Sequence, residues 1–165
     1  MEVRTLGKTG LKVSALGFGG APIGIPDYLS HEDRDSPAFR EEAIAALREA
    51  VARGVHYFDT APGYGDGRSE RLIGEALEGQ RDRVLLATKY PFQTDATPAQ
   101  RTESLKRSLE RLRTDYVDVL QLHGGIYDDA LADRILASGV LDWADAMRER
   151  GLCRLDLRRL HDRFL

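Results

Sequence analysis

The pattern of apolar and polar positions along this chain switches repeatedly between two periods. Short continuous apolar runs at residues 55–58, 84–89 and 117–122 alternate with stretches whose apolar residues recur every three or four positions. A short apolar run bounded by turn residues reads as a buried parallel strand, and the 3–4 spacing reads as an amphipathic helix. Residues 38–53 set Ile44, Leu47 and Val51 on one stripe, with Glu41 and Glu42 near the positive end and Gly54 as the stop. Residues 69–77 predict a shorter helix with Ser69 as N-cap, Leu72, Ile73, Ala76 and Leu77 inward, and Gly79 beyond it. Thr97, Pro98 and Gln100 spell a capping box with proline at the first helical position, and Leu105, Leu109 and Leu112 continue as its stripe. Residues 140–150 close the series, with Val140, Ala144 and Met147 on one face and Gly151 after them.

Ahead of these elements, residues 3–6 and 11–16 flank Gly7-Lys8-Thr9-Gly10 and predict a hairpin. A Gly-rich strand follows at 16–20, where missing side chains let a ligand or another backbone approach closely. Residues 25–37 are polar and aperiodic, a long loop of the kind that often serves as a lid. The order is thus a hairpin followed by strand and helix alternating four times. Strands joined by crossover helices of this length form a parallel sheet with right-handed connections.

Composition adds exclusions. A net charge of −3 gives no electrostatic reason to expect a nucleic acid or an anionic membrane as partner. No run approaches the ~20 apolar residues of a membrane span, and no apolar signal core opens the chain. The single cysteine, Cys153, excludes an internal disulfide framework, reads as a small packing residue, and suits a cytoplasmic location. No set of side chains has metal-ligand spacing. The glycines at 17–20 are not a dinucleotide fingerprint, because no G-x-G-x-x-G opens a helix there. His31 and His56 read as structural or exposed, residues 32–35 as a solvated charged loop, and Asp118 as meeting a partner at the sheet or facing outward.

The candidate chemistry lies at strand ends. Asp59, Lys89 and His123 stand 30 and 34 residues apart, about one βα unit per step, each where an apolar run stops. Equivalent positions in successive units share one rim of the sheet, and the carboxyl rim is where α/β sites form. Tyr64 lies on the loop five residues past Asp59. A tyrosine hydroxyl ionises near pH ~10; a neighbouring lysine stabilises the phenolate, and a carboxylate holds the lysine. Tyr64 as acid, Lys89 and Asp59 as its tuning pair and His123 as orienter suit carbonyl reduction, with hydride from a cofactor.

The words Leu6-Gly7-Lys8-Thr9-Gly10-Leu11-Lys12-Val13-Ser14, Phe58-Asp59-Thr60-Ala61-Pro62-Gly63-Tyr64-Gly65, Ser69-Glu70, Thr88-Lys89 and Gln121-Leu122-His123 resemble the aldo-keto reductase family. The resemblance runs from Val3 to about Arg154. It implies a TIM-type (β/α)8 barrel closed below by an N-terminal hairpin, and NADPH-dependent reduction of a small aldehyde or ketone. It puts the catalytic set on Asp59, Tyr64, Lys89 and His123, and the nicotinamide end of NADP beside Gly20, Ala21 and Asp59.

A complete barrel takes ~250 residues, so this chain is expected to supply the hairpin (1–16) and four βα units (17–154) as a single partial barrel. Residues 155–165 depart from the family pattern, carrying with Arg154 four arginines in twelve residues, a poor buried strand. One choice of codons for Leu155-Asp156-Leu157-Arg158-Arg159-Leu160, read one base later, gives Ser-Thr-Ser-Ala-Gly. That resembles the expected family motif, so a frameshift is the reading that follows. A four-stranded half-barrel should expose two edges and an apolar inner face. Two readings stay open: a reductase whose cofactor site is completed by a second half or a second copy, as in a homodimer, and a catalytically silent relative that self-associates or binds through its edges.

Overall fold

The computed structural model describes residues 1–28, 31, 33–91, 95–124 and 128–155. It opens on the hairpin, β1 (Val3–Thr5) paired antiparallel with β2 (Lys12–Ser14), as a separate two-stranded sheet. The second arm stops short of the expected length, and Leu16 is 64% exposed. The hairpin is tied under the main sheet by the Ser14 hydroxyl, which accepts from the His56 amide at 3.1 Å, and by the Lys12 carbonyl, 3.1 Å from the His56 ring.

The main sheet is wholly parallel among the described residues and runs in chain order. Its strands are β3 (Phe18–Gly19), β4 (Tyr57–Asp59), β5 (Leu85–Pro91), β6 (Val117–His123) and β7 (Cys153–Leu155). Sequential parallel order with helical crossovers is the winding of a barrel rather than of a doubly wound sheet. The register sets Gly19 beside Asp59, Asp59 beside Ala87, Lys89 beside Gln121, and Val117 beside Cys153.

Between the strands lie α1 (Ala21–Gly24), α2 (Pro37–Ala52), α3 (Arg68–Ala76), α4 (Pro98–Leu112), α5 (Asp129–Ala137) and α6 (Val140–Glu149), with a 3-10 turn at Arg81–Arg83. Ser36 caps α2 ahead of Pro37, its side chain accepting from the Phe39 amide at 3.2 Å. The Thr97–Gln100 box caps α4 reciprocally, at 3.2 and 2.8 Å. Three helices differ from the sequence pattern, the first being α1, whose four residues are too few to show a stripe. Ser69 is not the cap of α3: Gly67, left-handed at φ 76°, ends the turn, and Ser69 is buried one residue inside the helix. The α5 helix, capped by Asp128, was not anticipated, because among its residues only Ile135 is buried and the stripe is too thin to mark a helix.

The core lies between the outer face of the sheet and the helices. Phe58, Leu86 and Leu120 meet Leu47, Ile73, Leu105, Leu109 and Trp143, and Cys153 packs there as a small apolar group. Full burial of each large side chain contributes about 1.5–3 kcal/mol. A second, smaller cluster on the inner face joins Ala87, Val119 and Leu155 to Leu11 of the hairpin and to Tyr57. The expectation of an exposed apolar inner face is therefore corrected: Ala87 is 0% and Val119 1% exposed. The hairpin and Tyr57 cover what the strands alone would leave open. Leu155, assigned by pattern to the tail, is the last residue of β7; the rest of that tail, 156–165, lies outside the described residues.

Candidate active site

Strand geometry brings the predicted residues together. Asp59 ends β4, Lys89 lies near the end of β5 and His123 ends β6, so successive parallel strands deliver all three to the carboxyl rim. The turn after β4 folds over that rim through Pro62, Gly63 and Gly65 (φ 66°) and carries Tyr64 back above Lys89.

The Lys89 ammonium is held from two sides. It is ion-paired with Asp59 Oδ1 and donates to the Thr60 carbonyl oxygen at 2.9 Å. It lies 4.9 Å from the centroid of the Tyr64 ring. His123 meets the same ring edge-on, with centroids 5.5 Å apart and planes at 90°. Lys89 is mostly buried, its side chain 12% exposed, while that of Asp59 is 30% exposed. The cation is thus fixed in a partly dry setting where its field on the phenol is less screened. His123 is pushed below its usual pKa of 6.5, first by burial and then by the Lys89 charge, with Asp59 opposing. It is therefore a neutral imidazole at neutral pH, able to donate from one nitrogen and accept at the other.

Two participants escaped the sequence reading. Gln121 donates to Asp59 Oδ2 at 3.0 Å and lies 3.4 Å from the Tyr57 hydroxyl, so each Asp59 oxygen has a partner. The signal was present: Gln121 and His123 are two apart on one strand and share a face. Tyr57 itself is pushed up to about 12 by burial and by Asp59, which keeps it a neutral phenol. Behind the rim, Ser69 and Glu70 brace the strands from α3. The Thr60 hydroxyl donates to Ser69 at 2.8 Å, and Thr88 donates to Glu70 at 2.6 Å. Glu70 is fully buried and also takes Arg111 at 2.6 Å. Each brace grips the neighbour of a rim residue, Asp59 in one case and Lys89 in the other.

Gly20 and Ala21 lie where β3 passes into α1. A side chain on Gly20 would run into Ser69 and come within 3.0 Å of the Asp59 carbonyl, which the Gly20 amide already engages at 2.7 Å. Close packing alone demands glycine there. Beside it, Gly19 has open space where a side chain would stand, so the rim next to Asp59 can admit a flat ring. That opening, next to Asp59 in the sheet, leaves room for the planar nicotinamide end of a cofactor. No described group of histidine, cysteine or carboxylate side chains could hold a metal ion.

Residues 15–154 match the model of the Aldo/keto reductase family. The chain belongs to that family. As an aldo/keto reductase it is 37% identical over 166 residues to L-galactose dehydrogenase of Arabidopsis thaliana, covering 95% of this chain and 50% of that protein. Among solved structures it is similar to the holo form of aldo-keto reductase AKR11C1 from Bacillus halodurans, with TM-score 0.70 and 32% identity, covering 94% of this chain and 49% of that one. An aldo-keto reductase from Klebsiella pneumoniae solved with NADPH gives TM-score 0.72 and 30% identity, again 94% and 49%. The chain therefore spans about half the length of these relatives. The partial barrel expected from the sequence is the fold observed. Among the described residues, no helix is long and apolar enough to cross a membrane.

The other sequence-predicted residues fall as follows. His31 is exposed beside Asp27 at 3.1 Å. Asp118 meets partners at the sheet, with Arg81 at 2.7 Å and Arg154 at 2.9 Å. The charged loop at 32–35 is only partly solvated: Arg34 is buried with its guanidinium 4.4 Å from the centre of the Phe39 ring, and Glu32 lies outside the described residues. A long apolar-poor loop can still anchor one arginine by stacking it on an aromatic face.

Proposed function

We propose that this chain carries the proton-handling part of an NADPH-dependent carbonyl reductase site, which reduces a small aldehyde or ketone to an alcohol with Tyr64 as general acid. The observation that carries the reading is the placement of the Lys89 ammonium, fixed by Asp59 and Thr60, against the Tyr64 ring. NADPH, held at its nicotinamide end by the backbone around Gly20 and Ala21 and by Asp59, supplies the hydride when bound. The residues of the chain then handle the proton. Tyr64 gives its hydroxyl proton to the carbonyl oxygen, and the Lys89 charge stabilises the phenolate left behind. Asp59 keeps Lys89 in place, and Gln121 keeps Asp59 from turning away. Neutral His123 offers a hydrogen bond that orients the substrate oxygen.

The test is a fluorescence titration of the purified chain with NADPH, followed by NADPH consumption with 4-nitrobenzaldehyde. Saturable binding with turnover lost in Tyr64→Phe supports the reading; no saturable binding overturns it for this polypeptide. A second reading rests on the sheet edges. Among the described residues β3 and β7 are each paired on one side only, and open parallel edges are templates for another chain. Self-association of two copies would either complete the site or be the chain's sole activity. Dimer mass by light scattering together with NADPH binding favours the first outcome, and dimer mass without binding the second.

A further inference from the structure

Away from the rim, the loop before α2 and the helices α2, α3 and α4 line an open cavity of about 590 Å³. Six guanidiniums line it: Arg34, Arg40, Arg68, Arg71, Arg111 and Arg113. Only three carboxylates do so, those of Asp35, Glu75 and Glu110. A chain of net charge −3 therefore gathers an excess of positive charge in one cavity.

Part of this cluster is structural. Arg40 pairs with Glu75 and joins α2 to α3, Arg111 reaches the buried Glu70, and Arg113 pairs with Glu78 at 2.6 Å. The charges of Arg68 and Arg71 are less well met. They are three residues apart on one helix, a spacing at which like charges destabilise. Arg68 meets Asp35 at 2.5 Å, but that carboxylate is 80% exposed and its attraction is weakened by solvent. Arg71 donates to the backbone carbonyl of Asp66 at 2.9 Å, an uncharged acceptor. Arg34 adds a buried guanidinium, 6% exposed. Guanidinium forks match the oxygens of phosphate in pairs, and several converging on one cavity suit an anion of more than one charge.

We propose that this cavity is a second ligand site, distinct from the rim, that takes a small molecule through a multivalent phosphate or pyrophosphate group. An anion there offsets the repulsion between Arg68 and Arg71 and spans from α3 to the end of α4 at Arg113. The proposal does not depend on the reductase reading.

Inorganic pyrophosphate is the probe, titrated calorimetrically into the full chain at about 50 mM salt. The expected result is one saturable site whose affinity falls as salt rises. The double variant Arg71→Ala/Arg113→Ala, at two exposed positions, should bind at least tenfold more weakly with an unchanged circular dichroism spectrum. Arg71→Gln alone should bind about threefold more weakly, a second measurement that stands if the double variant does not fold. Asp59→Asn, at the rim, should bind pyrophosphate as the wild type does. Unsaturable heat, or equal affinity in wild type and variants, would mean an adventitious ion only and overturn the proposal. Loss of pyrophosphate binding in Asp59→Asn would overturn the claim that the two sites are distinct.

Discussion

The two ends of the parallel sheet use the same side-chain types to opposite effect. At the amino end, Asp118 is fully buried and held by two arginines. Its Oδ2 accepts from Arg81 at 2.7 Å and from the Leu86 amide at 2.9 Å, and its Oδ1 is 2.9 Å from Arg154. Tyr116 stands beside it with the Arg81 and Arg154 guanidiniums 3.9 and 4.7 Å from its ring centre. At the carboxyl end, Asp59 also holds a cation and Tyr64 also lies against one, but the Asp59 side chain is 30% exposed and the rim beside Gly19 is open. A fully buried carboxylate, bonded through Oδ2 and ion-paired through Oδ1, ties β5, β6 and β7 together. A carboxylate with one face toward solvent, holding a lysine against a phenol, leaves reactive atoms within reach. Composition does not separate a lock from a site; burial does.

Paired substitutions break that comparison most sharply. Tyr64→Phe should lower carbonyl reduction by about 10²–10⁴-fold, the scale of a lost general acid, with the melting temperature unchanged. Tyr116→Phe should leave the rate intact, although it removes the hydroxyl that Arg154 contacts at 3.0 Å. Both are read by NADPH consumption beside thermal denaturation. The carboxylates should behave in the opposite sense. Asp118→Ala strands the buried Leu86 amide and two arginines, and should cost about 2–3 kcal/mol in urea denaturation. That is less than the ~3–5 kcal/mol of a wholly buried pair, because Arg154 is half exposed and rehydrates. Asp59→Asn should cost about 1 kcal/mol or less while removing activity. At neither end of the sheet, Thr97→Ala removes half of the α4 capping box and should cost about 1 kcal/mol by the same assay, with the rate preserved.

Much of this was legible in the residue order, for a physical reason. The rim set could be read because parallel strands joined by crossovers all point their carboxyl ends the same way. Strand-end residues one βα unit apart therefore collect at one rim, even though the register staggers them by two residues per strand. The capping box of α4 could be read because its donors and acceptors are local. What escaped was decided by packing at a distance. Ser69 looks like an N-cap by type, yet its hydroxyl is engaged by Thr60 across the helix–strand interface. Arg34 reads as solvated until Phe39 is placed beneath it. The covered inner face depends on Leu11 arriving from the hairpin, a contact with no periodic signature. Gln121 acts on Asp59 from two strands away, a contact that strand alternation alone does not specify.

The smallest expected effect is the most diagnostic of the rim's electrostatics. His123 is lowered from 6.5 chiefly by burial and next by Lys89, with Asp59 pulling the other way. Proton-resolved NMR titration of the imidazole should therefore show Lys89→Met raising its pKa and Asp59→Asn lowering it further. Asp118→Asn, at the far end of the sheet, should leave it unmoved. The linkage to stability has a definite sign. Above about pH 6.5 the imidazole is neutral in both folded and unfolded chains, and its contribution is fully present. As pH falls below that value the unfolded chain binds the proton first, so stability declines until the lowered folded-state pKa is passed. His123→Asn should flatten that part of the pH–stability curve, and Lys89→Met should make it shallower by bringing the two pKa values together. A slope unchanged in both variants would mean that the Lys89 charge does not reach His123, and with it that the rim is not one electrostatic unit.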